Sequence, residues 1–401
     1  MSSINPPSSS GSSSSLRKRR GKTLLRNGRA YLDGFRPAAA YPLPIDLPET
    51  HRQIIFAQLT DTIFGSSILA KELLGDDKDD DESDNTNAAG DADSGHAEAN
   101  TDKRPIRVLE LGCDTGWWSA SCHQHFQAQG HRVEFVGLDL KPPVEEGNYY
   151  RTLGMNWEYI QHDINDTPWP IPDGTFDLVM ARNLTLALDA SKYSHHVQEY
   201  VRVLKPGGTL ELWEHDYTIR SMAPAILQAP SKHKRLEALG LYPVEDSQHF
   251  KPAHNPCVAE FNTWITAALA ERKLPTMPCS YIEAMFEGHL VEGCEELEMQ
   301  RTRRIAVPLS TAGINWEREG EEPRILTPVQ EVIRTTALES FIGMVEAYEP
   351  LLRTASGQSQ VSWEAWIAKA RKQWLSEAGF SLGECLEMGA WSLKKTSPST
   401  D

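Results

Sequence analysis

Four carboxylates, an arginine and a histidine lie at the ends of short apolar runs in this chain, in an order that suits a nucleotide-like ligand. The first, Glu110, stands at the mouth of Val108-Leu-Glu-Leu-Gly-Cys-Asp-Thr-Gly116, an apolar run that enters a turn punctuated by Gly112 and Gly116 and carrying Asp114. Trp117 to Cys122 contains no breaker and starts a helix, so strand, glycine turn and helix N-terminus follow one another as in nucleotide-binding α/β units. A phosphate cradle of the Walker kind needs Lys-Ser/Thr after its last glycine, and none is present. A carboxylate beside a glycine turn suits a cationic or amine-bearing ligand instead. Asp139 ends the next apolar run, Val133 to Asp139, about 20 residues beyond the loop, where a ribose diol can be held by two hydrogen bonds. Asp163, Arg182 and His215 close three further runs.

The elements that must position these groups alternate in type. Trp157 to Asp163 and Phe176 to Ala181 read as the third and fourth strands. Apolar residues at Tyr193, Val197, Tyr200, Val201 and Leu204 have helical spacing, Lys205-Pro-Gly-Gly208 stops that helix, and Thr209 to Glu214 is a fifth strand. Such alternation implies right-handed crossovers, a parallel sheet, and a binding crevice at the carboxyl ends of its strands. Farther on, Val258, Phe261, Ile265 and Leu269 mark a helix face within 221–294, a segment expected to build a helical insert over the crevice. Glu295 to Pro308 reads as the sixth strand, Val329 to Leu352 and Trp363 to Ala378 as helices, and Cys385 to Leu393 as the seventh strand.

These motifs, taken in order, resemble the class I S-adenosylmethionine-dependent methyltransferases. The resemblance rests on Glu110 to Gly116, Asp139, Asp163, Pro170-Ile-Pro-Asp-Gly-Thr-Phe-Asp177 and Leu204-Lys-Pro-Gly-Gly208. Asn27-Gly-Arg-Ala-Tyr31, Tyr41-Pro-Leu-Pro-Ile-Asp46 and Glu49-Thr-His-Arg52 resemble the leader of the fungal LaeA-like branch, whose members lie near secondary-metabolism and developmental regulation. Together the matches cover residues 27–74 and 104–220. The family implies a Rossmann-like, seven-stranded, mostly parallel sheet whose last strand is antiparallel and pairs with the sixth as an edge hairpin. It implies S-adenosylmethionine as cofactor, with Glu110, Gly112 and Gly116 around its methionine part and Asp139 on the ribose hydroxyls. Asp163 would accept from the adenine amino group, the Ile164 amide would meet the ring edge, and Arg182 would close the sulfonium end. Asp114 departs from the family, which carries glycine there; aspartate reaches positive φ more easily than most residues, so the turn survives with a carboxylate close to the ligand.

Methyl transfer from a sulfonium displaces a neutral leaving group in line, so positioning and desolvation supply most of the rate and no catalytic pair is required. A base is needed only for a hydroxyl or protonated-amine acceptor, and His215, after the fifth strand, is the candidate. The acceptor reads as a small molecule resembling a secondary metabolite, or as a protein. An alternative is a catalytically weak regulatory protein that keeps the methyltransferase fold, motivated by Asp114 and by an acidic insert that could hold a protein partner. A nicotinamide oxidoreductase would share the glycine loop and ribose acid, but Asp163 and Leu-Lys-Pro-Gly-Gly disfavour it. Trp117 and Trp118 read as packing of the first helix on the sheet, His162 as a turn histidine, and His195-His196 as surface.

Of the net charge of −16, residues 76–98 carry ten acids against one lysine in a Ser/Asn/Ala/Gly background too polar to order itself. The rest is mildly acidic and offers no broad basic face, which argues against nucleic acid as the main ligand. Residues 1–26 read as a Ser-rich tail whose Arg17-Lys-Arg-Arg20 cluster is a nuclear-import signal or a solubilising arm; residues 1–32 would also pass as a weak mitochondrial presequence. No apolar run is long enough for a signal peptide or a membrane span, so the expected location is cytoplasmic or nuclear. Six cysteines without CxxC or Cys/His spacing suggest a reduced compartment and no structural metal. The expected organisation is a tail (1–26), helical leader (27–74), acidic insert (75–103), cofactor-binding core (104–220), helical lid (221–294) and C-terminal completion of the sheet (295–396).

Overall fold

Asn27 and Gly28 both have positive φ, 48° and 77°, the mirror-type turn whose twist suits a tight hairpin. Across it β1 (Thr23–Arg26) pairs antiparallel with β2 (Arg29–Leu32), so the leader is not purely helical as expected. The computed structural model describes residues 23–32, 41–74, 104–141, 150, 153–223, 233–245, 250–317, 324–376 and 378–396. The acidic segment 75–103 and the Arg17–Arg20 cluster lie outside the described residues. Arg29 makes a two-pronged ion pair with Asp46 at 2.7 and 2.9 Å, and Asp46 also accepts from Glu49 N as the N-cap of α1 (Leu47–Phe64). One carboxylate thus fastens the hairpin to the start of the helix, which ends at Gly65 with φ 75°.

The expected strands form the sheet. Parallel pairing joins β3 (Ile106–Leu111), β4 (Val133–Asp139), β5 (Asn156–Gln161), β6 (Phe176–Arg182) and β7 (Leu204–His215) in the spatial order β5-β4-β3-β6-β7. Helices α2 (Trp117–Ala128) and α3 (Tyr193–Val203) supply the crossovers after β3 and β6. The break expected at Lys205-Pro-Gly-Gly208 appears as an irregularity within β7: Phe176 pairs with Leu204 but Leu178 with Thr209, and Gly207 takes a φ of 71°.

After β7 come β8 (Arg220–Met222), α4 (Lys234–Ala238), β9 (Tyr242–Pro243), β10 (Phe250–Pro252), α5 (Pro256–Glu271) and α6 (Pro278–Glu287). Then β11 (Leu297–Pro308) is followed by α7 (Pro328–Ala347), α8 (Glu349–Ser356), α9 (Gln360–Trp374) and β12 (Glu384–Lys395). The last strand is antiparallel, as expected, but β12 sits between β7 and β11. The two final strands pair without forming a hairpin, because residues 309–383 with three helices separate them. Three short strands, β8, β9 and β10, extend the sheet to ten strands among the described residues.

Both faces of β3, β4, β6 and β7 are covered, which is why they read as apolar runs, while the edge strand β5 has no buried residue. Val108, Met180 and Trp213 pack with α1, α2, α5 and α7 on one side, while Leu109, Val179 and Leu212 pack with α3 and α6 on the other. Contrary to expectation, none of the described residues of the segment 221–294 lines the crevice: Phe261 of α5 meets Phe341 of α7 edge-to-face at 5.4 Å, and Met285 and Phe286 of α6 pack against the opposite face of the sheet. Its long apolar surfaces are used up in these two layers. No helix among the described residues is long and apolar enough to cross a membrane.

The leader is locked to the sheet by a buried acid. Glu211 of β7 accepts from Leu69 N at 2.8 Å and Ala70 N at 2.6 Å with one oxygen, and from Trp213 Nε1 at 2.8 Å with the other. Glu211→Leu strands all three donors and should lower the unfolding free energy by about 2–3 kcal/mol, read as a lower denaturant midpoint. Glu211→Gln keeps an acceptor oxygen and should lose less.

Candidate functional site

A cleft opens at the carboxyl ends of β3, β4, β6 and β7, and most of the sequence-derived candidates line it: Glu110, Gly112, Asp114, Asp139, Asp163, Ile164, Arg182 and His215. Gly116 does not. Its φ of 67° makes it the left-handed residue at the start of α2, and a Cβ there would stand 2.6 Å from the Tyr150 hydroxyl. Gly112 has a φ of 62°, and a Cβ on it would strike Leu184 Cδ2 at 2.4 Å. Both glycines are therefore demanded by the turn and its protein neighbours.

Three backbone donors of the loop are spent inside the protein. Gly112 N donates to Leu138 O at 2.8 Å, Asp114 N to Asp139 Oδ2 at 2.9 Å, and Gly116 N to Cys113 O at 2.6 Å. Asp114 makes its bond from a φ of 40°, the left-handed conformation expected for it. A loop bonded in this way presents carboxylates to the cleft and is a poor cradle for phosphate. Asp139 also accepts from Lys141 N at 3.3 Å, which fixes the carboxylate at the strand end.

Burial dominates the electrostatics. Desolvation pushes the Glu110 carboxyl up to about 8, against two hydrogen bonds from Ser119 to its Oε2 and the opposing charge of Arg182. Burial, and then the neighbouring Asp139, lift Asp114 to about 6, and burial also raises Asp139. Across from these acids Arg182 donates to Asp61 of α1 at 3.0 Å and stacks 4.8 Å over the Trp213 ring, while its buried Nη1 has no hydrogen-bond partner. Asp163 Oδ1 accepts from Asn165 N at 2.9 Å and Asn165 Nδ2 at 3.1 Å, so its carboxylate is oriented by the turn after β5.

His215 lies at the far side of the cleft. Its Nδ1 is 2.9 Å from Asn183 Oδ1, its buried Nε2 has no partner, and burial, followed by the charge of Arg52, lowers it to about 3. The other histidines divide. His162 sits in the turn, with Nε2 2.5 Å from Asp166 O. His195 is exposed, but His196 is buried at 1 % exposure and lowered to about 4 by burial; the pair is not simply surface, because α3 turns its second histidine into the core.

Sequence reasoning missed the near wall. Tyr41, Glu49, Arg52, Gln53 and Phe56 of the leader and Tyr348 all line the cleft. Tyr348 reaches it because the single helix expected over Val329–Leu352 breaks there, between α7 and α8. Glu49 and Arg52, bonded at 2.9 and 2.5 Å, were legible only as a leader motif, since nothing in local spacing says which surface α1 covers. Trp118 packs as expected, donating its Nε1 to Ser67 O at 2.6 Å.

Residues 108–208 match the family model described as a methyltransferase domain. Over 113 residues the chain is 29% identical to the secondary metabolism regulator laeA of Coprinopsis cinerea, an alignment covering 28% of this chain and 25% of that protein. The chain therefore spans about a quarter of the length of the curated relative it matches. Among solved structures it is similar to the YcgJ protein of Bacillus subtilis, 17% identical with a TM-score of 0.34 over 73% of this chain and 93% of that one. It is also similar to a geranyl diphosphate methyltransferase, 14% identical with a TM-score of 0.32 over 73% of this chain and 79% of that one. Likeness at that level says nothing about function.

The acids of the cleft have a measurable signature. The folded-state value of Glu110, about 8, lies above its ordinary 4.5, so the fold holds this proton more tightly than the unfolded chain does. Its contribution favours the folded state at low pH and is lost as pH rises from 4.5 through about 8. Glu110→Gln should make the fall of denaturant midpoint across that window shallower than in the wild type; buried Glu211 and Glu214, both raised to about 7 by desolvation, keep part of the slope.

Proposed function

We propose that this chain, whose residues 108–208 form a methyltransferase domain of the class I kind with a LaeA-like link, transfers a methyl group from S-adenosylmethionine to an acceptor bound in the same cleft. The observation that carries this reading is the bonding of the glycine turn: its N–H groups at 112, 114 and 116 are spent on the protein, and carboxylates surround what remains. Such a site favours a ligand with ammonium and sulfonium charge over a dinucleotide with its pyrophosphate.

The residues present fit that cofactor. The unpartnered Nη1 of Arg182 suits the carboxylate of its methionine part, and Glu110 and Asp114 suit its ammonium. Asp139, ordered by Asp114 N and Lys141 N, suits the ribose hydroxyls, and Asp163 with the Ile164 amide suits the adenine edge. Gly112 and Gly116 serve by shaping the turn. When bound, the cofactor supplies a methyl group on a cationic sulfur, whose departure leaves a neutral thioether. The protein's own part is to hold that group in line with the acceptor and, with α1 as a wall, to keep water from the crevice. A small metabolite suits an enclosed cleft of this kind better than a protein side chain. The alternative, a regulator that keeps the fold without turnover, draws on Asp114 and on the acidic segment 75–103.

Calorimetric titration with S-adenosylmethionine and S-adenosylhomocysteine tests the reading. Asp139→Ala and Asp163→Ala should each weaken binding by about tenfold or more, the loss of one or two hydrogen bonds to a charged acceptor; unchanged affinity in both would overturn the assignment. Because Asp114 ionises near pH 6, affinity for the cationic sulfonium form should rise as pH increases through that value, and more steeply than affinity for the neutral thioether form. Two parallel pH profiles would count against a charge-selective site. Binding of both forms without turnover on any acceptor would favour the regulator.

A further inference from the structure

The acceptor half of the cleft has its own chemistry, centred on His215. Asn183 Oδ1 can only accept, so the 2.9 Å contact places the imidazole proton on Nδ1 and leaves the Nε2 lone pair as a hydrogen-bond acceptor. Nε2 is buried and has no partner, a costly condition unless a ligand completes it. The backbone holds Asn183 in place for this contact, at φ 52° just beyond β6, with its N–H bonded to Trp213 O at 2.8 Å. Aromatic rings frame the imidazole, with Phe56 edge-on at 5.1 Å and Tyr217 at 4.9 Å, and Tyr348 stands 6.0 Å beyond Tyr217. Glu49, the leader carboxylate that lines the cleft, is already occupied, because both its oxygens accept from Arg52 and one of them also from Gln53; Glu214, whose Oε2 has no partner, is not among the described residues that line the cleft. A ligand here needs a flat apolar body, no charge, and one donor aimed at Nε2.

We propose that the acceptor is an uncharged aromatic hydroxyl compound whose O–H donates to His215 Nε2, making the reaction an O-methylation. The inference rests on the methyl-transfer reading above. In the step, the acceptor oxygen forms a bond to the methyl carbon while the carbon–sulfur bond breaks and its electron pair stays on sulfur. The hydroxyl proton passes to Nε2, and the imidazolium then releases it to water. A protonated aryl ether is a far stronger acid than an imidazolium, so even a ring held strongly neutral by burial takes this proton.

The test is binding of three probes to the full chain by calorimetry: 2-naphthol, its methyl ether, which lacks the donor, and 1-naphthylmethylammonium, which carries a charge. The wild type should bind 2-naphthol about tenfold more tightly than the ether, the worth of satisfying one buried acceptor, and the ammonium more weakly than either. His215→Phe should bring 2-naphthol down to the level of the ether while leaving the ether nearly unchanged. Nitrogen-15 resonances of His215 in the wild type should report a protonated Nδ1, with Nε2 shifting when 2-naphthol is added. Equal binding of naphthol and ether, preference for the ammonium, or no binding of any probe overturns the proposal, and the first two comparisons require no variant. Cofactor binding in a chain without hydroxyl preference removes this inference alone, whereas hydroxyl preference in a chain that binds no cofactor removes the methyl-transfer reading.

Discussion

The docking of the leader on the carboxyl ends of the parallel strands is the interaction on which the site depends. Glu211 of β7 gives up solvent to receive Leu69 N, Ala70 N and Trp213 Nε1, a burial tolerable only because every donor is met at once. Nearby, Arg182 at the end of β6 reaches Asp61 of α1 and stacks on Trp213, while Ser121 of α2 bonds to both Asp61 and Ser67. Helix α1 is thereby held as a wall of the cleft, and Arg52 and Phe56 come with it. Without this docking the strand ends would form an open shelf.

Within that enclosure, desolvation sets the character of the cleft. Glu110, Asp114 and Asp139 all have their ionised forms disfavoured by burial, and a cation beside them would favour their ionisation. At the other side the same burial keeps His215 neutral. One low-dielectric space therefore offers negative charge at one end and an uncharged hydrogen-bond acceptor at the other. That asymmetry fits a charged donor of the transferred group and an uncharged recipient.

The strands that carry the site were legible because each is short, apolar and bounded by turn residues, a pattern that survives without knowledge of neighbours. Val133–Asp139 is a strand over the expected residues, and Asp139, Arg182 and His215 each stand at the end of a strand, where the crevice of a parallel sheet must lie. What failed to show were long-range choices. The apolar face Val258, Phe261, Ile265 and Leu269 is buried as expected, yet it packs on other helices and not over the cleft, since amphipathicity tells which face is covered and never by what. The burial of His196 escapes sequence for a related reason: adjacent positions on a helix differ by about 100°, and only packing shows which of two histidines turns inward.

The antiparallel last strand was implied only by the family resemblance, whereas the sequence by itself determined the parallel core, the left-handed turn at Asp114, and the row of acids at strand ends. These follow from local rules: apolar runs, glycine and aspartate backbone preferences, and the geometry of crossovers. Tertiary structure alone decided that the leader closes the cleft, that the glycines answer to Leu184 and Tyr150, and that His215 keeps an unpaired nitrogen beside Phe56 and Tyr217. The physical reason is that burial and hydrogen-bond satisfaction are properties of contacts between distant segments. A residue type and its spacing can name a group that is able to bind, but whether its last lone pair is already taken depends on what the rest of the chain brings against it.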